Sequence, residues 1–184
     1  DFHIVSERPY DAIEAALAQA DIVGLAGATL AAGPSVLWAG HPHIHGWITH
    51  PSPDRDGLEL AVISLESGTI RGIQAIDGVF LAMHREIPGR VGFDDETFDG
   101  FHFYDLDFTL RAARAGFRLS ITTDIIGIHE SLGKFDTVYD GYAERFRRKY
   151  PDLSTRPRGV NYWFGARPDL LADRVDRLAL RLVI

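Results

Sequence analysis

The stretch from Phe93 to Gly133 constrains the fold more than any other part of the chain. Asp105 and Asp107 lie at the start of a helical pattern in which Leu106, Leu110 and Ala113 share one face, and Gly116 supplies the stop. The segment from Phe117 to Ile128 follows, alternates loosely and reads as one strand, with His129 after its end. Helix starts and strand ends face the same cleft in open α/β sheets. A chain built around such a unit is expected to be α/β, with its ligand site at that cleft.

The remaining elements fit that expectation. Residues 2–5 read as a strand end. Pro9 suits the first turn of a helix over 9–20, with Ile13, Ala16, Leu17 and Ala20 on its apolar face. Residues 21–27, DIVGLAG, form a continuous apolar run, the pattern of a strand buried on both faces. Residues 35–39 are expected to be a short strand, 41–46 irregular, 52–57 a loop and 58–64 a strand. Residues 69–75 lead into a core strand over 79–83, interrupted at Asp77-Gly78. A glycine there marks a bulge or a close approach to the backbone. Residues 85–91 read as a short helical turn and 138–150 as a helix anchored by Tyr142, Phe146 and Tyr150. A last helix is expected over 168–183. With no internal repeat, residues 1–184 are expected to form a single α/β domain, of which 151–184 make a C-terminal loop and helix.

Composition removes several function classes. With 184 residues, 46% hydrophobic and 24% charged, the chain has material for one substantial core. A formal charge of −7 argues against a nucleic-acid-binding face. Without cysteine there is neither a disulfide framework nor a thiolate zinc site. No apolar run approaches the roughly 20 residues of a transmembrane helix, and the start lacks a signal-peptide pattern. A cytoplasmic location is expected.

Carboxylates in the first turn of a helix meet unpaired N–H groups and the positive end of the dipole, which favours their charged form. Asp105 is therefore a candidate general base, and helix capping is the plainer account of the same residue. Asp107 lies four residues before Arg111, which fits an ion pair on the helix surface. His129, at a strand end, is a candidate ligand for Mn²⁺ or Zn²⁺, whereas His102, between Phe101 and Phe103, reads as packed. His41, His43, His45 and His50 form a second group from which a zinc site is conceivable, against the irregularity that Pro42 and Gly46 impose. The acids Asp94, Asp95, Glu96 and Asp99 match no calcium loop and read as a solvated segment before the helix.

The ordered segments IQAIDGVFLAMHRE, VGFDDETFDGFHFYDLDFTLRAARAGFRL and IIGIHESLG resemble the second half of the inverting family 2-like glycosyltransferases of GT-A fold. Phe93-Asp94-Asp95 stands for the family's FDE. Tyr104-Asp105-Leu106-Asp107-Phe108 stands for its EDxDL, Arg111 and Gly116 keep their places, and His129 ends the following strand. The resemblance covers residues 20–150. It implies a GT-A-like mixed sheet flanked by helices, present here as a partial domain without the N-terminal nucleotide-binding half. Asp1 would then sit at or beside the last acid of a DxD-type motif.

By the same resemblance Asp105 is the catalytic base. It implies that Asp1 contacts a divalent metal, Mn²⁺ or Mg²⁺, and that His129 contacts that metal or the donor diphosphate. Asp77, Gly78, Tyr104 and Lys134 are the expected substrate contacts, with Tyr104 replacing the first acid of the family's pair. The implied activity is metal-assisted inverting transfer from a nucleotide-sugar to a glycan, lipid-linked or protein acceptor. Two other readings remain open: an inert acceptor-recognition or scaffold piece, and a metal hydrolase built on the histidines of 41–50.

Overall fold

In the computed structural model, residues 2–52, 58–131, 136–153, 163–165 and 178–183 are described. Their order is β1 (Phe2–Ile4), α1 (Pro9–Leu17), β2 (Ile22–Gly24), β3 (Ala26–Ala28), a 3₁₀ turn (Val36–Ala39), β4 (Ile44–Pro51), β5 (Leu58–Val62), β6 (Thr69–Ile73), β7 (Ala75–Ile76) and β8 (Leu81–Met83). There follow α2 (Ile87–Val91), α3 (Tyr104–Arg114), β9 (Leu119–Thr122), β10 (Gly127–His129), α4 (Thr137–Lys149), β11 (Trp163–Gly165) and β12 (Leu178–Val183).

The strands form two mixed sheets. The smaller has the order β6-β9-β2-β8, with β2 parallel to β9 and antiparallel to β8. The larger runs β1-β10-β4-β5-β12-β11, with β3 and β7 attached through β4. The chain passes repeatedly from one sheet to the other. Only Leu25 separates β2 from β3, and only Gln74 separates β6 from β7; residues 77–80 join β7 to β8, and 123–126 join β9 to β10.

This seam corrects two expectations. The runs 21–27 and 117–128 are each two strands in different sheets, because the chain bends between sheets where a single strand would continue straight. The bend at Leu25 is close-packed. Its carbonyl accepts the Trp47 N–H at 3.2 Å. Gly46 stands against it with φ of +130°, where a Cβ would fall 2.7 Å from the Ala26 Cα. Only glycine fits there.

Three further expectations change. Residues 36–39 form a 3₁₀ turn instead of a strand. The segment expected to be irregular at 41–46 enters β4 at Ile44, since β3 and β5 pair with it on either side. The expected final helix is, over Leu178–Val183, the strand β12, parallel to β5 and antiparallel to β11. The rest of that stretch, 168–177, lies outside the described residues. Alternating LALRLV suits either period, and pairing with β5 decides it.

Helix α3 is packed on two sides. Leu106 and Leu110 join a core with Ala28, Phe98, Phe103 and Phe146, while Phe108 and Ala112 join another with Ile22, Ile76, Ile87 and Ile121. Sequence periodicity gives this helix one apolar face. Here it is enclosed by both cores, which fixes its N-terminal turn with little freedom.

Candidate functional site

Phe103 precedes α3 as its N-cap, with φ of +70° and no side-chain cap. A bulky residue in that region carries strain of roughly 1–3 kcal/mol and persists only when its surroundings hold it. The ring is 5% exposed and packs against Phe98, Tyr139 and Phe146. The Phe103 carbonyl accepts the Asp107 N–H at 2.9 Å, closing the first turn. Asp105 is therefore inside that turn and is not its cap.

The Asp105 carboxyl projects onto the 77–80 turn. Its Oδ2 accepts the Gly78 N–H at 2.6 Å. A Cβ at Gly78 would fall 2.6 Å from the Asp105 Cβ and 2.7 Å from its Cγ, so the carboxyl occupies the space a side chain would fill. Asp77 turns back on itself, Oδ1 accepting the Val79 N–H at 3.1 Å. Thr109 clamps the two segments together. Its Oγ1 donates to the Asp105 carbonyl at 2.9 Å and accepts the Ile76 N–H at 3.1 Å. Thr109 is fully buried. Nothing in its sequence context marks it out, and only the approach of α3 to β7 reveals it.

Electrostatically the recess suits a base. Burial, and after it the charge of Asp77, raises the Asp105 pKa to about 6, although the amides of Leu106, Gly78 and Asp105 itself favour the anion. Burial also raises Asp77, against the single Val79 amide. Tyr104 is half-buried beside them, its phenol raised by burial and then by the charges of Asp105 and Asp77. Tyr139, from α4, is likewise raised by burial and senses both carboxyls; its hydroxyl donates to the Pro34 carbonyl at 3.3 Å. Asp105, Asp77, Gly78 and Tyr104 thus come together.

Asp107 plays a different part. It is fully buried, its Oδ2 accepting Arg111 Nε at 2.8 Å and its Oδ1 meeting Tyr150 Oη and Lys149 Nζ at 2.5 Å each. Arg111 also donates to the Val91 and Gly92 carbonyls. The Asp107–Arg111 pair is present, but buried beneath the site instead of on the helix surface. The acidic loop is tied down as well: Asp94 bonds to Lys149, and Asp99 to Tyr142 and Arg145. His102 meets Phe101 and Tyr139 edge-on, with ring centroids 5.5 and 5.4 Å away.

His129 ends β10 as expected, opposite Phe2 of β1. Its neighbour is His50, with ring centroids 5.4 Å apart. His50 Nδ1 lies 3.1 Å from the His129 carbonyl, which makes it the donor. Burial lowers the pKa of both imidazoles. The Phe2 ring reaches Phe80 at 5.7 Å, linking this edge to the turn that carries Asp77. Asp1 and Lys134 lie outside the described residues.

The histidines of 41–50 do not gather into a site. His43 Nδ1 and His45 Nε2 each lie 3.5 Å from Thr29 Oγ1, His45 Nδ1 is 2.6 Å from Glu66 Oε2, and His50 belongs with His129. Among the described residues no three histidine, cysteine or acidic side chains form a metal-ligand group.

A family model described as "Glycosyltransferase like family" matches residues 15–150. The chain belongs to this glycosyltransferase-like family. Its curled mixed sheets flanked by helices agree with a GT-A-like fold. Comparison with curated proteins and with solved structures gives no match. Among the described residues no helix is long and apolar enough to cross a membrane.

Proposed function

We propose that this chain catalyses inverting transfer of a sugar from a nucleotide-sugar to an acceptor hydroxyl, with Asp105 as general base. The observation that carries this reading is the Asp105 carboxyl, held at the start of α3 by the Gly78 amide in a half-buried recess, with its pKa raised to about 6. Such a group is largely ionised at neutral pH and more basic than an exposed aspartate, which suits proton abstraction. The acceptor oxygen attacks the anomeric carbon as its proton passes to Asp105. The bond from that carbon to the diphosphate oxygen breaks on the opposite face, and the nucleoside diphosphate leaves with the electron pair. Asp77, Gly78 and Tyr104 frame the position of the acceptor hydroxyl, and orientation there supplies part of the acceleration.

A divalent cation would neutralise the leaving diphosphate. The described residues offer His129 and His50 toward one, and no third histidine or acid completes a metal-ligand group with them, which falls short of a ligand set. No step is therefore routed through a metal.

The test is Asp105→Asn in the intact protein with nucleotide-sugar donors. The expected result is a loss in kcat of about 10²–10⁴-fold with a smaller change in KM. Near-native turnover in a folded variant would remove Asp105 from the reaction.

A further inference from the structure

The Gly78 amide binds Asp105 while forming the peptide bond that follows Asp77, so the two carboxyls lie within one residue of each other. No side chain separates them, since the carboxyl of Asp105 fills the place of a Gly78 Cβ. The Asp77 side chain is fixed in turn by Val79 N–H. Among the described residues neither carboxyl forms an ion pair. The titratable groups that sense both are phenols, Tyr104 of α3 and Tyr139 of α4; Arg147 and Asp140 also act on Tyr139, with opposite sign. A helix start and three amides would by themselves make Asp105 a weak base.

We propose that Asp77 is a positioning residue for Asp105: its carboxylate, fixed beside that of Asp105 across the Gly78 amide, keeps Asp105 basic enough to take the acceptor's proton. The kinetic consequence rests on the reading of Asp105 as the base; the coupling of the two carboxyls does not. Burial raises Asp105 in any case, and the charge of Asp77 adds to it. Base strength in turn governs the rate of proton transfer.

The experiment is a titration of the intact protein carrying ¹³C-carboxyl aspartate, followed by NMR, alongside pH profiles of kcat/KM. Asp77→Asn keeps an oxygen for the Val79 amide and removes the charge. The Asp105 midpoint is expected to move to lower pH by roughly 0.5–1 unit. The acid limb of kcat/KM should follow it, and the plateau kcat should fall about 2–3-fold. Should Asn disturb the turn, seen at the Val79 amide resonance, Asp77→Ser repeats the measurement with a smaller oxygen acceptor. An unmoved Asp105 midpoint in a folded variant overturns the proposal, whatever happens to turnover. A moved midpoint with an unmoved acid limb keeps the coupling and counts against Asp105 as the base.

Discussion

At Asp105 the chain holds a carboxyl where folding alone would not favour one. Its folded pKa of about 6 lies above the 3.8 of an unperturbed aspartate, so between those values the unfolded chain binds fewer protons than the folded one. Stability contributed by this residue is therefore present below about pH 4 and is lost as pH rises through 6. Asp105→Asn should raise the unfolding free energy at pH 7 by about 1–2 kcal/mol, the residual water contact of the half-buried carboxyl being allowed for. At pH 4 the difference should vanish. Urea unfolding at the two pH values measures it, and a variant less stable at pH 7 would contradict the raised pKa. A substitution that stabilises the fold while abolishing turnover is the signature of a residue kept for function.

Among the elements, α3 carries the proposed base and α4 holds α3 in place. Lys149 ends α4 and reaches both Asp94, in the loop before α3, and the buried Asp107 inside α3. Lys149→Met should cost about 1.5–3 kcal/mol, because it removes one charge-assisted contact from the buried Asp107 and leaves it with Arg111 and Tyr150. Arg148→Met, which breaks the exposed pair with Glu144, should cost less than about 1 kcal/mol. Comparable losses in denaturant unfolding would mean that the network does not anchor the helix. The same contact gives acid sensitivity. Lys149 holds the Asp94 carboxyl well below the usual range, so its contribution is present above about pH 4 and disappears as pH falls through the depressed folded pKa.

Across the whole molecule the proposed site stands on the seam between two sheets. The 77–80 turn is one of the crossings, and the Asp77 N–H donates to the Ala26 carbonyl, just beyond the crossing at Leu25. Gly46 closes that crossing from β4, so Gly46→Ala acts on both sheets at once. Between the positive φ and the overlap with Leu25 and Ala26, a loss of about 2–4 kcal/mol is expected by urea unfolding. A neutral outcome would mean that the two sheets can separate at this point without strain.

Local chemistry made much of this legible in advance. Pro9, Gly116 and the apolar spacing of 104–114 and 138–150 placed three helices, because capping and periodicity act within a few residues. The acids at the start of α3, the Asp77-Gly78 interruption and the strand-end His129 also stood out, as did the order of motifs that marks the family. The rest was decided only by tertiary structure. Where a run such as 21–27 breaks between sheets depends on partners distant in sequence, and so does the choice of strand for 178–183. The pairing of His50 with His129 and the clamp by Thr109 arise from elements that meet only when folded. The basicity of Asp105 belongs there as well. Sequence supplies a helix start that favours the anion, while burial and the neighbouring Asp77 reverse the balance.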